Sequence, residues 1–131
     1  MLGDLTKNFN RKEFDCPCCG LNKTSPLLAE YVQIIRSSIA VPVRIVSGTR
    51  CPAHNAEVGG VPDSAHLEGL AADIQAQGYS GRALGEFIKD LFWKHGKLPE
   101  LQYCYLIKNS NSVHIDVDSS KKNQRWRVFA F

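Results

Sequence analysis

Apolar residues recur at helical spacing in two stretches of the chain. The first runs from Pro26 to Ile39, with Ser25 as a plausible N-cap and Pro26 at the first helical position. The second begins near Ser80. The residues that share the apolar face are Leu27, Leu28, Tyr31, Val32, Ile35 and Ile39 in the first stretch, and Leu84, Phe87, Ile88 and Leu91 in the second. The pattern therefore predicts two amphipathic helices.

Shorter segments predict strands and one further helix. β-branched or alternating residues indicate strands at Val41–Val46, Leu70–Ala76, Leu101–Ile107, Ser112–Val117 and Trp126–Phe131. Cys51–Val58 is predicted as a short helix that Gly59 and Gly60 bring to an end. The turn residues Asn109, Ser110 and Asn111 make a hairpin of the third and fourth strands. We expect an α+β fold, a small antiparallel sheet with helices packed on one side.

Size and composition describe one ordinary globular domain. The 131 residues, taken as a single domain over 1–131, can bury one core, and 44% are hydrophobic against 22% charged. The formal net charge of +3 is mild and suits an anionic polymer such as a cell wall, whereas no dense Lys/Arg block indicates a nucleic-acid partner. Membrane insertion is not expected, because no run approaches the roughly 20 apolar residues of a membrane span. We expect a monomer.

The start of the chain bears on where the protein is made. Residues Met1 to Asn10 include Asp4 and contain no apolar stretch of signal-peptide length. The sequence therefore predicts synthesis in the cytoplasm without a signal peptide. If the protein works on a cell wall or in the periplasm, another component must deliver it there.

The cysteines leave several states open. Their number, five, is odd, and three of them crowd into Cys16-Pro17-Cys18-Cys19-Gly20, with Cys51 and Cys104 elsewhere. A structural zinc site normally takes two pairs of ligands at separated spacings, and the sequence shows no second pair. One disulfide bridge or plain reduced thiols are favoured over an N-terminal zinc site, and the sequence does not decide between them.

Two histidines and a carboxylate form the main candidate site. His66 and Asp73 are separated by small residues, Gly69 and Ala71, which let a loop turn into a strand and leave space for an ion. His114 lies in the middle of a predicted strand, where alternation places it on the same face as Asp116. Two imidazoles and one carboxylate are a known ligand set for catalytic zinc. From spacing alone, a hydrogen-bonded structural role for these residues stays open.

These motifs resemble a known family. Ser-x-His-x-x-Gly-x-Ala-x-Asp at residues 64–73, followed by His-x-Asp at 114–116, is similar to the zinc D-Ala-D-Ala carboxypeptidases, and to their short phage and bacterial branch in particular. Further matches lie at residues 8–14, 45–55 and 58–60, so the resemblance covers nearly the whole chain. It implies a fold similar to that of the hedgehog signalling domain.

The resemblance also implies roles. His66, Asp73 and His114 correspond to the zinc ligands, Arg50 to an arginine that faces the substrate, and Ser64 to a cleft residue beside the first ligand. A guanidinium is a permanently charged donor for a carbonyl or a terminal carboxylate. The alternatives are a surface ion pair for Arg50 and an ordinary turn or cap residue for Ser64.

The position of the general base departs from the family pattern. Many members carry Asp or Glu three residues before the last His ligand, where this chain has Asn111. An amide cannot take a proton from a metal-bound water. Asp116 is the best substitute as catalytic base, and its alternative role is to orient His114.

The sequence therefore predicts a zinc-dependent peptidase that cuts peptidoglycan peptides, either at the terminal D-Ala or within a cross-link. Without a signal peptide, a phage or prophage origin is expected. The alternative is a non-catalytic zinc-containing binding or virion structural module of the same fold, which the loss of the acid at Asn111 favours.

Overall fold

Two long helices pack against one face of a mainly antiparallel sheet. The computed structural model describes residues 3–120 and 129–130. Helix α1 spans Pro26–Ile39, as predicted, and begins where the Ser25 hydroxyl accepts hydrogen bonds from the backbone N–H groups of Leu27 and Leu28. It ends at Ala40, whose backbone is left-handed. Its apolar face is buried in the core.

Two further helices lie between strands in the sequence. Helix α2 spans Pro52–Glu57 and helix α3 spans Gly81–Trp93, and both agree with the predicted positions. The hydroxyl of Ser80 accepts from the N–H of Ala83 and so caps α3. Short 3-10 turns occupy Arg11–Phe14 and Ala65–Glu68.

Five strands form one sheet. They are β1 at Val43–Ser47, β2 at Ala71–Ala76, β3 at Tyr103–Leu106, β4 at Val113–Asp116 and β5 at Phe129–Ala130. Their order is β1-β2-β4-β3-β5, with antiparallel pairing throughout the first four and parallel pairing between β3 and β5. The predicted hairpin is β3–β4. Of the strand predicted at Trp126–Phe131, residues 126–128 and 131 lie outside the described part of the chain.

The register of the sheet sorts its side chains onto two faces. Ala72 lies opposite Ile115 and Ile74 lies opposite Val113, and all four belong to the core with α1 and α3. The alternate residues form a row across four strands, because Ser47 pairs with Asp73, Asp73 with His114, and His114 with Tyr105. If one strand shifted by one residue against its neighbour, its polar side chains would point into the core and its apolar side chains into solvent. Burial of the apolar face therefore fixes the register of the strands.

The α+β fold class is confirmed. One hydrophobic core joins the sheet to α1 and α3. The row that contains Asp73 and His114 occupies the opposite face of the sheet. Among the described residues, none of the helices has the length and apolar character needed to cross a membrane.

Candidate metal centre

His66 is positioned by the 3-10 turn that precedes β2. The Ser64 hydroxyl accepts a hydrogen bond from the His66 backbone N–H at 3.2 Å and so caps the turn. Gly69 ends it with φ of 71°, and a side chain there would collide with the backbone of Lys23. The glycine therefore allows the chain to reverse into β2 and bring Asp73 back towards His66.

Asp73 and His114 face each other because their strands are paired in register. The Asp73 Oδ1 atom lies 3.1 Å from His66 Nε2 and 3.0 Å from His114 Nδ1. All three side chains are buried, and the two imidazole rings have centroids 5.2 Å apart. The structure thus brings together the three residues predicted as metal ligands.

The outer nitrogen of each imidazole has its own acceptor. His66 Nδ1 lies 2.7 Å from the carbonyl oxygen of Gly48, and His114 Nε2 lies 2.8 Å from Asp116 Oδ2. A carbonyl or carboxylate oxygen can only accept, so these outer nitrogens carry the N–H protons. The inner nitrogens face Asp73 Oδ1, and once they are deprotonated they can present lone pairs to an ion bound between them.

Three electron-pair donors therefore converge on one point. The ligand atoms of His66, Asp73 and His114 all lie within 4.8 Å of one another. Tetrahedral zinc with bonds of about 2.0–2.1 Å places its ligand atoms roughly 3.3 Å apart, close to the distances from Asp73 Oδ1. Two imidazoles and a carboxylate whose outer partners are already fixed fit a divalent metal of the zinc type.

The charges of the cluster shift the pKa values of Asp73 and His114. Burial by itself would raise the pKa of Asp73, but hydrogen bonds from His114 and His66 hold that pKa well below its usual range. Burial would lower the pKa of His114, but the carboxylates of Asp116 and Asp73 raise it. The site therefore favours an anionic Asp73 and positive charge beside it.

Arg50 is anchored between β1 and α2. Its side chain donates to Ser47 Oγ at 3.1 Å, to Asn55 Oδ1 at 3.3 Å and to Asp73 Oδ2 at 3.2 Å. Its backbone N–H donates to the carbonyl of His66 at 3.0 Å. Arg50 therefore holds the second oxygen of Asp73 while the first faces the two imidazoles.

A cleft of about 420 Å³ opens above this cluster. The three clustered residues, which are buried, lie at its floor with Arg50 and Ser64, and residues 58–61 and 105–108 complete its lining. Tyr105 stacks on the His114 ring with centroids 4.4 Å apart and an angle of 14° between the planes. A smaller space of about 100 Å³ adjoins it beside Tyr103, Tyr105 and Asp116.

The sequence analysis missed the contributions of Tyr105 and Asn55. Tyr105 could have been found by extending the strand alternation of His114 across the predicted hairpin, because the two residues are directly paired. Asn55 lies in α2 and connects Arg50 to the cleft wall, since its Nδ2 donates to the carbonyl of Val61 at 2.8 Å. These contacts of Asn55 depend on how α2 packs against the rest of the protein, and the spacing of residues along the sequence does not predict that packing.

Comparison with known proteins gives the family. The family model described as Peptidase M15 matches residues 7–116, most of the chain. The chain belongs to the M15 peptidase family. No curated protein matches it. The M15 family is one of metallopeptidases, and the clustered residues lie within the matched segment.

The two positions considered for the general base of this M15 peptidase differ in their surroundings. Asn111, an amide at the position where the resemblance leads one to expect an acid, is exposed in the β3–β4 turn. Asp116 is buried at 1% exposure; its Oδ2 meets His114, and its Oδ1 accepts from the N–H of Asp118 at 3.3 Å. Among the described residues, Asp73 is the only carboxylate that lines the larger cleft.

Proposed function

We propose that this M15 peptidase hydrolyses peptide bonds of bacterial peptidoglycan with a zinc ion held by His66, Asp73 and His114. The observation that carries the proposal is the convergence of two imidazole lone pairs and one carboxylate oxygen at the floor of an open cleft. Bound there, zinc would polarise the scissile carbonyl and lower the pKa of a water to about 7.

Arg50, which already contacts Asp73, is proposed to bind the substrate with its remaining N–H donors. Three of the five N–H donors of a guanidinium are used by Ser47, Asn55 and Asp73, which leaves donors for a molecule in the cleft. These donors suit a peptide carbonyl, a terminal carboxylate, or the negative charge that develops during attack. Ser64, which caps the His66 turn, is proposed to present its hydroxyl group to the substrate in the same cleft.

Asp116 is proposed to orient His114, and the geometry gives less support to its role as base. The carboxylate meets His114 Nε2, on the side of the ring away from Nδ1 and Asp73. A carboxylate in that place fixes the tautomer and strengthens the metal-facing nitrogen. A group that takes a proton directly from water bound beside Asp73 would have to lie on the other side of the ring.

The charge of the cleft favours a substrate with a free carboxylate. Arg50 and Lys108 are the cationic side chains among the described residues that line the cleft. The terminal carboxylate of a D-Ala-D-Ala stem peptide would find two positive partners there. Carboxypeptidase activity is therefore the first expectation and cross-link endopeptidase activity the second. Either reaction takes place at the cell wall.

A digest of purified peptidoglycan tests the proposal. The zinc-loaded chain should release D-Ala from stem peptides, and a chelator or the change His114→Ala should abolish the release. Mass spectrometry of the products separates loss of terminal D-Ala from opened cross-links. His95→Ala, which alters an exposed histidine, is the matched control and should retain activity.

A non-catalytic module is the second candidate, because Asp116 is already engaged and Asn111 carries no acid. It predicts zinc binding and attachment to peptidoglycan with no new products in the digest. Sedimentation of the chain with intact peptidoglycan, alongside the product analysis, distinguishes this candidate from the enzyme.

A further inference from the structure

A second group of metal-ligating side chains lies outside the cleft. The sulfur atoms of Cys16, Cys19 and Cys51 all lie within 4.8 Å of one another. Cys16 is buried, Cys51 is half-buried and Cys19 is exposed, and none of the five cysteines forms a disulfide in this structure. Spacing along the chain showed no second ligand pair beside the first cysteines, but the fold brings Cys51 to them.

The first two sulfurs come from a tight loop over residues 16–20. The Gly20 N–H donates to the carbonyl of Cys16 at 2.8 Å, and the Cys16 N–H donates to the carbonyl of Leu21 at 2.8 Å. Gly20 has φ of 78°, a left-handed conformation that favours glycine. Cys16 and Cys19 thus have the Cys-x-x-Cys spacing of a zinc-binding loop and present their sulfurs together.

The third sulfur comes from the first turn of α2. The N–H of Cys51 donates to Cys16 Sγ at 3.4 Å, and the N–H of His54 donates to Cys51 Sγ at 3.4 Å. Donors aimed at sulfur stabilise the thiolate, which is the form that binds a metal.

The geometry points to a second zinc site in which Cys16, Cys19 and Cys51 are ligands and Cys18 supplies the fourth position. Cys18 lies between Cys16 and Cys19 in the same loop and is exposed, which makes its thiol the candidate for the fourth position. Tetrahedral coordination by thiolates is the usual form of a structural zinc site. A single disulfide would use two of the sulfurs and leave the third, together with its converging donors, without a role.

The site joins two segments that flank Arg50. The carbonyl of Phe14 accepts from the N–H of Thr49 at 2.8 Å, which already places the N-terminal segment beside the Arg50 loop. Cys51 follows Arg50 directly, and Arg50 contacts Asp73. A metal held by the cysteines therefore cross-links the N-terminal loop to the start of α2 and braces the loop that carries Arg50.

Cobalt substitution of the full chain tests the site without reference to activity. The reduced protein, freed of metal and then loaded with Co²⁺, should show an intense near-ultraviolet charge-transfer band from thiolate ligands. Cys19→Ser and Cys51→Ser should lose most of that band and bind one metal fewer than the wild type. Cys104→Ala changes a core cysteine outside the group and should keep the band.

The outcomes separate the two sites. His114→Ala should keep the thiolate band while it loses the other metal. A reduced wild-type chain that shows no such band, or a Cys19→Ser variant that keeps it in full, would overturn the proposal. Because Cys19 is exposed, its variant tests the site even where Cys16→Ser fails to fold. Cys18→Ser should shift the visible cobalt bands and His54→Ala should not; the reverse result would replace Cys18 by His54 at the fourth position.

Discussion

The two groups of ligating side chains in this chain are built in opposite ways. The group at His66, Asp73 and His114 stands on two paired strands and the 3-10 turn that leads into one of them, is buried, and has both outer ring nitrogens fixed by acceptors. The cysteine group stands on loops and a helix end, is partly exposed, and is held by backbone N–H groups. The first lies under an open cleft, whereas the second does not line it.

This difference matches the difference between catalytic and structural metal sites. A catalytic site keeps three protein ligands and leaves a position open to water and substrate, while a structural site closes all four positions. A sheet register holds ligand atoms rigidly at a cleft floor, which catalysis requires. A site between loops gains by joining segments that have few other contacts. The two groups should therefore respond differently to mutation.

The largest effect is expected from His114→Ala. It removes one of the three proposed ligands and takes away the imidazole that lies between the buried carboxylates of Asp73 and Asp116, so the metal of the cleft and all peptidase activity should be lost. Metal analysis and the peptidoglycan digest measure both quantities. Retention of full stoichiometric metal would remove His114 from the site.

A smaller but still large effect is expected from Arg50→Ala. If the guanidinium acts on developing charge as other oxyanion donors do, its loss should lower kcat about 10²–10³-fold, or roughly 2.7–4 kcal/mol. Because Arg50 also holds Asp73 Oδ2, zinc affinity in the cleft should fall as well. Kinetics at saturating zinc separate the two effects. Arg44→Ala, an exposed arginine of β1, is the matched control, and equal loss in both variants would rule out a specific role for Arg50.

Asp116→Asn tests how the histidine site is organised. If Asp116 orients His114, the change should weaken zinc affinity about 10–100-fold, and activity should return when zinc is in excess. If Asp116 is the base, zinc should stay bound while activity falls about 10²–10⁴-fold without recovery. Titration of activity with added zinc decides between these roles. Asp118→Asn, the same change two residues away, should leave affinity unaltered.

The smallest effect is expected at Tyr105, which covers the His114 ring. Tyr105→Leu removes the stacked ring, and a stacked aromatic pair contributes about 0.5–1.5 kcal/mol, so zinc affinity should fall by a few-fold. Tyr105→Phe keeps the ring and should match the wild type. An equal loss in both variants would show that the hydroxyl, rather than stacking, is what matters.

Much of the fold followed from local pattern. Helix α1 begins and ends where the Ser25–Pro26 cap and the apolar spacing predicted, because both signals are contained in a few neighbouring residues. Strand ends were less well predicted: the segment from Val41 begins as a strand only at Val43, after a proline that has no N–H to donate. The pairing order β1-β2-β4-β3 depends on contacts between distant segments and was not contained in any one of them.

The sequence by itself determined the α+β class, the two long helices, the hairpin, and the choice of His66, Asp73 and His114 as candidate ligands. These rest on periodicity, turn chemistry and motif spacing, which are local properties of the chain. Only the tertiary structure decided that Asp73 faces both imidazoles, that Asp116 meets the far side of the His114 ring, and that Cys51 joins Cys16 and Cys19. The contact of Asp73 with His114 depends on strand register, its contact with His66 on the 3-10 turn before β2, and that of Cys51 on the docking of α2. Strand alternation, by contrast, gave only the shared face of His114 and Asp116 and not the ring nitrogen that Asp116 meets.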